Sequence, residues 1–252
     1  HVEQFMMKEE QDFTLTEEFL SCIRPETDLV FLCNPNNPTG QLIDRKLLER
    51  ILVRCAACGT MLVVDECFRD FLDNPEENSM KLWVDSFPNL MILRAFTKHY
   101  AMAGLRLGYC LCANPPLLER MNQCGQPWSV SVPAQVAGVA ALKDTEYLQK
   151  NLALIREERT YLKEELQKLD IRVIGSHANY LFFRLQEMHH NDVLRMETQE
   201  IELPEDDEKI SNPVYWMEKQ ADRGAYGLMM PVTFMRGLMA EKRRTVKPYA
   251  HE

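Results

Sequence analysis

Two short apolar runs with an amphipathic segment between them, connected by short joints, constrain this chain more than any other feature. Asp28-Leu29-Val30-Phe31-Leu32-Cys33 ends at a Pro-rich turn and reads as a buried strand. From Asp44 to Cys58, Leu47, Leu48, Ile51, Leu52 and Cys55 recur at helical spacing, and Gly59 is a natural stop. Met61-Leu62-Val63-Val64 is the next buried strand, closed by Asp65-Glu66. Strand, helix and strand with short joints make a right-handed βαβ unit with parallel strands. Leu90–Leu93 and Gly108–Cys112 read as a third and a fourth strand. The expected fold class is therefore α/β, with a mostly parallel central sheet flanked by helices.

Helices dominate the chain after the fourth strand. Leu117–Asn122 is short, Ala134–Leu142 is Ala-rich and expected to be buried, and Glu146–Leu169 is long. Arg156, Glu157, Glu158 and Lys163 are assigned to its solvated face. Ile171–Ile174 and Tyr180–Leu185 read as strands of a smaller C-terminal α+β domain. The expected division is a large domain over 1–150 and a small one over 151–252. An acidic insertion around 187–216, without apolar period, falls inside the second.

Bulk properties exclude several function classes. The 252 residues are 46% hydrophobic, enough for one sizeable core with a satellite domain. The net charge of -9, without a basic stripe, argues against nucleic acid as a partner. No apolar run approaches a membrane span. The eight cysteines sit mostly in apolar runs, as buried thiols do, and form no disulfide framework, which favours a reducing, cytoplasmic compartment. Cys55 and Cys58 have the spacing of a metal pair but no second pair or nearby histidine, so no metal site is assigned.

Three polar clusters each follow a strand: Asn34-Pro35-Asn36-Asn37-Pro38-Thr39-Gly40, Asp65, and Thr97-Lys98. The C-terminal ends of parallel strands share one edge, where ligands bind in open α/β sheets. Residues distant in sequence should converge there.

These clusters, with Gly104-Leu105-Arg106-Leu107-Gly108-Tyr109, resemble class I/II aminotransferases, which are fold-type-I pyridoxal-phosphate (PLP) enzymes. Order and spacing resemble the branch of histidinol-phosphate aminotransferase and threonine-phosphate decarboxylase, over roughly Asp12 to Phe183. The resemblance implies that Lys98 holds the cofactor covalently through its amine and then moves protons. Asp65 would pair with the pyridine nitrogen. At about 4 Å and an effective dielectric near 20, such a pair is worth roughly 4 kcal/mol, about three pKa units in favour of the protonated ring. Asn37 would hydrogen-bond the ring oxygen, and Thr97 and Arg106 would hold the phosphate. Asn37, Asn179 and Arg244 are the expected substrate contacts. The family also implies a homodimer acting on a small amino-acid substrate.

Departures from the pattern refine the expectation. Cys67-Phe68 stands where many members have Ala-Tyr, and Ala95 replaces a phosphate-binding hydroxyl residue. Gln126-Pro127-Trp128-Ser129-Val130 resembles the threonine-phosphate decarboxylases most, whereas Met230 stands where a second substrate arginine is expected. The family's N-terminal part, with its phosphate-binding turn, is expected to be missing. The first expectation is thus a threonine-phosphate decarboxylase-like enzyme making the aminopropanol phosphate of cobalamin. The alternative is an aminotransferase of the histidinol-phosphate type, and the non-enzymatic rival is an inactive fragment serving as a dimerisation body.

Overall fold

The structure, a computed structural model, describes residues 1–184 together with Met230–Pro231. The first apolar run forms β1 (Leu29–Cys33), followed by helix α1 (Arg45–Cys58) and β2 (Met61–Asp65). The helix boundaries are chemical. Asp44 caps the N-terminus by accepting from the Leu47 backbone N–H at 3.1 Å. Gly59 ends the helix at φ +74°, a left-handed conformation that favours glycine. The apolar face of α1, Leu47, Leu48, Ile51, Leu52 and Cys55, enters the main core with Val30, Leu32, Leu62, Val64, Leu90 and Ile92. Burial, then the neighbouring Cys58, pushes the Cys55 thiol up to about 12, as suits an inert packing residue.

β3 (Leu90–Ala95) runs parallel to β2, which runs parallel to β1. The four-residue helix α2 (Phe96–His99) leads into β4 (Gly108–Cys112), which closes the sheet antiparallel to β3. The chain continues through α3 (Pro115–Cys124), α4 (Val132–Ala141) and the 24-residue α5 (Thr145–Lys168). A second, antiparallel sheet has the order β5 (Arg172–Ile174), β6 (Tyr180–Arg184), β7 (Met230–Pro231). Leu162 and Leu166 of α5 pack on Leu181 and Phe183 of β6. The architecture is an α/β large domain carrying a smaller C-terminal α+β domain.

Several sequence expectations need correction. The stretch outside the described residues is C-terminal, not N-terminal as expected: the segment from His1 is described, and Phe5, Leu15, Phe19 and Ile23 pack into or against the core. That segment also reaches the small sheet, through the Phe13–Phe182 edge contact at 5.6 Å and the ion pairs Arg172–Asp12 and Arg184–Glu9. The residues beyond the described ones are C-terminal, 185–229 and 232–252. They include the acidic insertion. β1 is buried on one face only, since Leu29 and Phe31 are exposed at the edge of the described sheet. In α4 only Ala134 and Gly138 are buried, and Val132, Val136 and Val139 are exposed. Glu158, expected on the wet face of α5, is buried, as is its neighbour Arg159. Of the eight thiols only Cys55 is fully buried. Among the described residues no helix is long and apolar enough to cross a membrane.

One buried group makes stability depend on pH. His99 is 5% exposed, lies against Phe71 and Tyr100, and its Nδ1 has no hydrogen-bond partner. Burial, reinforced by Arg69 and opposed by Asp70, pushes its pKa below the ordinary histidine value. The unfolded chain then takes up the proton at higher pH than the native one does. Native stability must fall as pH drops below the unfolded value of about 6.5. Between about pH 7.5 and about pH 5.5 the melting temperature of the natural protein should drop more steeply than that of His99→Phe. Parallel curves for the two proteins would remove His99 as the cause.

Candidate active site

Parallel register places the candidate residues along one edge. Cys33, the last residue of β1, pairs with Asp65, the last of β2, and Asp65 pairs in turn with Leu93 of β3. The Asn34 N–H donates to the Asp65 backbone carbonyl at 2.9 Å, and the Glu66 N–H to that of Leu93 at 2.9 Å. The chain thus leaves all three strands at the same level. Side chains alternate across a strand, so Asp65 and Glu66 point to opposite sides. Glu66 is buried and accepts from Ser79, from the Met80 N–H at 2.7 Å and from Arg94 at 2.9 Å. This inward network anchors the turn from which Asp65 projects.

The Asp65 carboxylate accepts from the Cys67 N–H at 2.9 Å and forms no salt bridge among the described residues. Cys67 lies within electrostatic reach of both Asp65 and Lys98. Burial first, and then the hydrogen bond to Asp65 and its charge, push the Cys67 thiol up to about 12, with the Lys98 charge opposing them. Lys98 is exposed in the single turn of α2, with Nζ 5.2 Å from the centroid of the Phe68 ring. It has no anionic partner among the described residues. A carboxylate and an ammonium therefore both act on one residue without forming an ion pair with each other among the described residues. That donor set fits a cofactor with a basic ring nitrogen and an aldehyde, which needs an anion at one end and an amine at the other.

The Asn34–Gly40 turn lies beside this pair. Asn34 is buried and its Oδ1 accepts from the Ile43 N–H at 2.9 Å, which folds the turn back on itself. Asn37 is exposed at its tip, next to Cys33, whose thiol is raised by burial and then by Asp65. Thr97 is half-buried in α2. Arg106 is exposed at φ +54° and donates to the Ala103 carbonyl at 3.1 Å. A bond of 3.0 Å from the Phe96 N–H to the Leu107 carbonyl brings the Arg106 loop beside α2. Because β4 is antiparallel, this loop enters the edge from outside the parallel run.

From the small domain, the buried Tyr180 donates from its hydroxyl to the Asn36 carbonyl at 2.8 Å, and its ring meets Phe68 edge-on at 5.1 Å. Burial raises its phenol, with Cys33 and Asp65 adding to the rise, so the hydroxyl stays protonated. Asn179 precedes it, with a buried Oδ1 that has no partner. Arg244 lies outside the described residues. Met230 is in β7, its backbone paired with Leu181. Trp128, the residue that in sequence points to decarboxylation, is 94% exposed, so its ring touches almost nothing.

Sequence reasoning assigned no role to Tyr180, Cys33 or Arg159. The signal for Arg159 was present. Ile155, Leu162 and Leu166 mark the buried stripe of α5, and Arg159 falls on that stripe, where an unpaired charge would be costly.

Comparison with known proteins places this geometry in a family. The family model of aminotransferase class I and II matches residues 1–203. Histidinol-phosphate aminotransferase 1 of Cupriavidus pinatubonensis is 38% identical over 165 residues, covering 66% of this chain and 43% of that protein. Threonine-phosphate decarboxylase of Salmonella typhimurium is 35% identical over 201 residues, covering 79% of this chain and 55% of the relative. The crystal structure of histidinol-phosphate aminotransferase from Clostridium acetobutylicum superposes with a TM-score of 0.68 at 30% identity, over 74% of this chain and 57% of that one. The chain spans about half the length of the curated relatives it matches. With its edge of Asn37, Asp65 and Lys98 on a fold shared with these enzymes, the chain belongs to the class I and II aminotransferase family.

Proposed function

We propose that this chain carries the cofactor-binding core of a PLP-dependent aminotransferase of the histidinol-phosphate type, acting as a homodimer on a small amino-group donor. One observation carries the cofactor reading: Asp65 at the end of β2 and Lys98 directly after β3 both act on Cys67 as opposite charges that are not paired with each other. When bound, PLP supplies an electron sink for charge developing at the substrate Cα. Asp65 holds the ring nitrogen protonated. Asn37 donates to the ring oxygen, while Thr97 and Arg106 take the phosphate. The Lys98 amine would hold the cofactor aldehyde and, once freed by substrate, would move the proton at the substrate Cα. Phe68 walls the Lys98 amine on one side, 5.2 Å away, and Tyr180 backs Phe68. Asn179 and Arg244 receive the substrate carboxylate. The cofactor belongs to the large domain over 1–150, and the small domain over 151–252 supplies the carboxylate contacts.

Transamination ranks ahead of decarboxylation for two reasons. The Clostridium structure and the Cupriavidus relative both bear the aminotransferase name. Trp128, the main residue in favour of a decarboxylase, is a nearly fully exposed side chain. A specific observation still favours the second reading. The Salmonella decarboxylase aligns over 201 residues, against 165 for the Cupriavidus aminotransferase.

Two experiments test these statements on the complete natural protein. Asp65→Asn keeps an oxygen for the Cys67 N–H but loses the charge. It should retain PLP absorbance while kcat and kcat/KM fall together by about a hundredfold, as for an interaction made mainly in the transition state. A normal kcat with a raised KM would reduce Asp65 to a structural residue. In the second, the protein receives histidinol phosphate with 2-oxoglutarate, and separately O-phosphothreonine with no acceptor. Glutamate formation that depends absolutely on the oxo acid is expected. Carbon dioxide released from phosphothreonine without acceptor would replace the aminotransferase reading with the decarboxylase one.

A further inference from the structure

The helix that leads into the small domain carries a buried cation for which the reaction has no direct use. Arg159 is 7% exposed. Its Nη1 donates to three backbone carbonyls, those of His177 at 3.1 Å, Ala178 at 3.2 Å and Phe71 at 3.4 Å. Its Nη2 donates to Asp73 Oδ1 at 3.1 Å. Arg156, one turn earlier, holds the same carboxylate at 2.8 Å and the Asp73 carbonyl at 3.2 Å. The planar fork of a guanidinium can satisfy acceptors in several directions at once, which a lysine ammonium on its flexible stem does poorly.

The acceptors belong to two segments distant in sequence. Phe71 and Asp73 follow the Asp65–Phe68 turn. His177 and Ala178 immediately precede Asn179 and Tyr180. The second segment is itself fitted against the Asn34–Gly40 turn. The His177 N–H donates to the Gly40 carbonyl at 3.2 Å, and Tyr180 donates to the Asn36 carbonyl at 2.8 Å. Gly175, at φ +69°, comes so near Thr39 that a Cβ would lie 2.5 Å from the Thr39 carbonyl oxygen. The turn before β6 thus has a backbone wall on one side and Arg159 on the other.

We infer that Arg159 is a positioning residue: it clamps the 176–180 turn between the Asn34–Gly40 turn and the segment after Asp65, and thereby places Asn179 and Tyr180 at the substrate end of the site. The inference rests on the PLP reading for its consequence in catalysis, and on the hydrogen bonds alone for its consequence in structure. Lys98 and Asp65 do not touch the clamp. Loosening it should therefore weaken the grip on substrate more than it slows the chemical step.

The test compares Arg159→Lys, Arg159→Met and Asp73→Asn in the complete natural protein by two readouts. The first is the split between KM and kcat for the amino donor. The second is hydrogen–deuterium exchange in the protein without cofactor. For Arg159→Lys, loss of charge-assisted bonds should raise KM about tenfold, with kcat within about threefold of the natural value. Exchange should quicken at 176–181 and at Gly40, while the amides of α1 keep their protection. Asp73→Asn should shift KM the same way by less. Should Arg159→Met fail to fold, the other two variants decide by the same readouts. An unchanged KM in both, or exchange that rises equally in α1 and in the turn, would overturn the clamp and leave Arg159 a general stabiliser. If the natural protein binds no PLP, the functional reading fails by itself. The exchange pattern then decides the clamp alone: localised quickening upholds it and uniform quickening overturns it.

Discussion

The register of three parallel strands underlies everything at the candidate site. Cys33, Asp65 and Leu93 pair across β1, β2 and β3, so the three chains leave the sheet at one level and their turns crowd together. A shift of one residue in β2 would send Asp65 inward and Glu66 to the edge, because strand side chains alternate with period two. The buried network around Glu66 opposes that shift. A carboxylate with no exposed side-chain surface is tolerable only with its partners, and Arg94, Ser79 and the Met80 N–H all converge on it. Placed outside, this group would lose all three of those partners. The register is thus guarded by a charge pair as well as by apolar burial.

A second set of polar contacts joins the large and small domains. Tyr180 on Asn36, His177 on Gly40 and Arg159 on Phe71, Ala178 and Asp73 are all hydrogen bonds to backbone or to one carboxylate. Such contacts depend on direction and fix geometry more sharply than apolar packing does. They bring Asn179, from the small domain, toward an edge built entirely by the large one. The unpartnered Oδ1 of Asn179 and the unpaired charge of Asp65 are two places where this framework leaves polar groups open.

Much of the fold was legible in the residues. The four strands of the main sheet and the helix α1 lie within a residue or two of where periodicity places them, and Asp44 and Gly59 mark the ends of α1 by their own chemistry. The candidate residues Asn37, Asp65, Thr97 and Lys98 were identifiable because each follows a strand at a polar break. The failures have a common cause. Periodicity reports which face of an element is apolar, not what lies against it. Ala134–Leu142 is apolar and yet largely exposed among the described residues, and Glu158 and Arg159 are charged and yet buried.

The sequence by itself determined the βαβ order, the caps of α1 and the polar breaks that close the strands, because each depends on residues within one turn or one strand. Only tertiary structure decided that β4 runs antiparallel, that Glu66 turns inward while Asp65 faces the edge, and that Arg159 reaches segments more than eighty residues away in the chain. Those outcomes depend on which desolvated charge finds which partner. Such pairing is settled by the three-dimensional meeting of distant segments, on which local spacing carries no information.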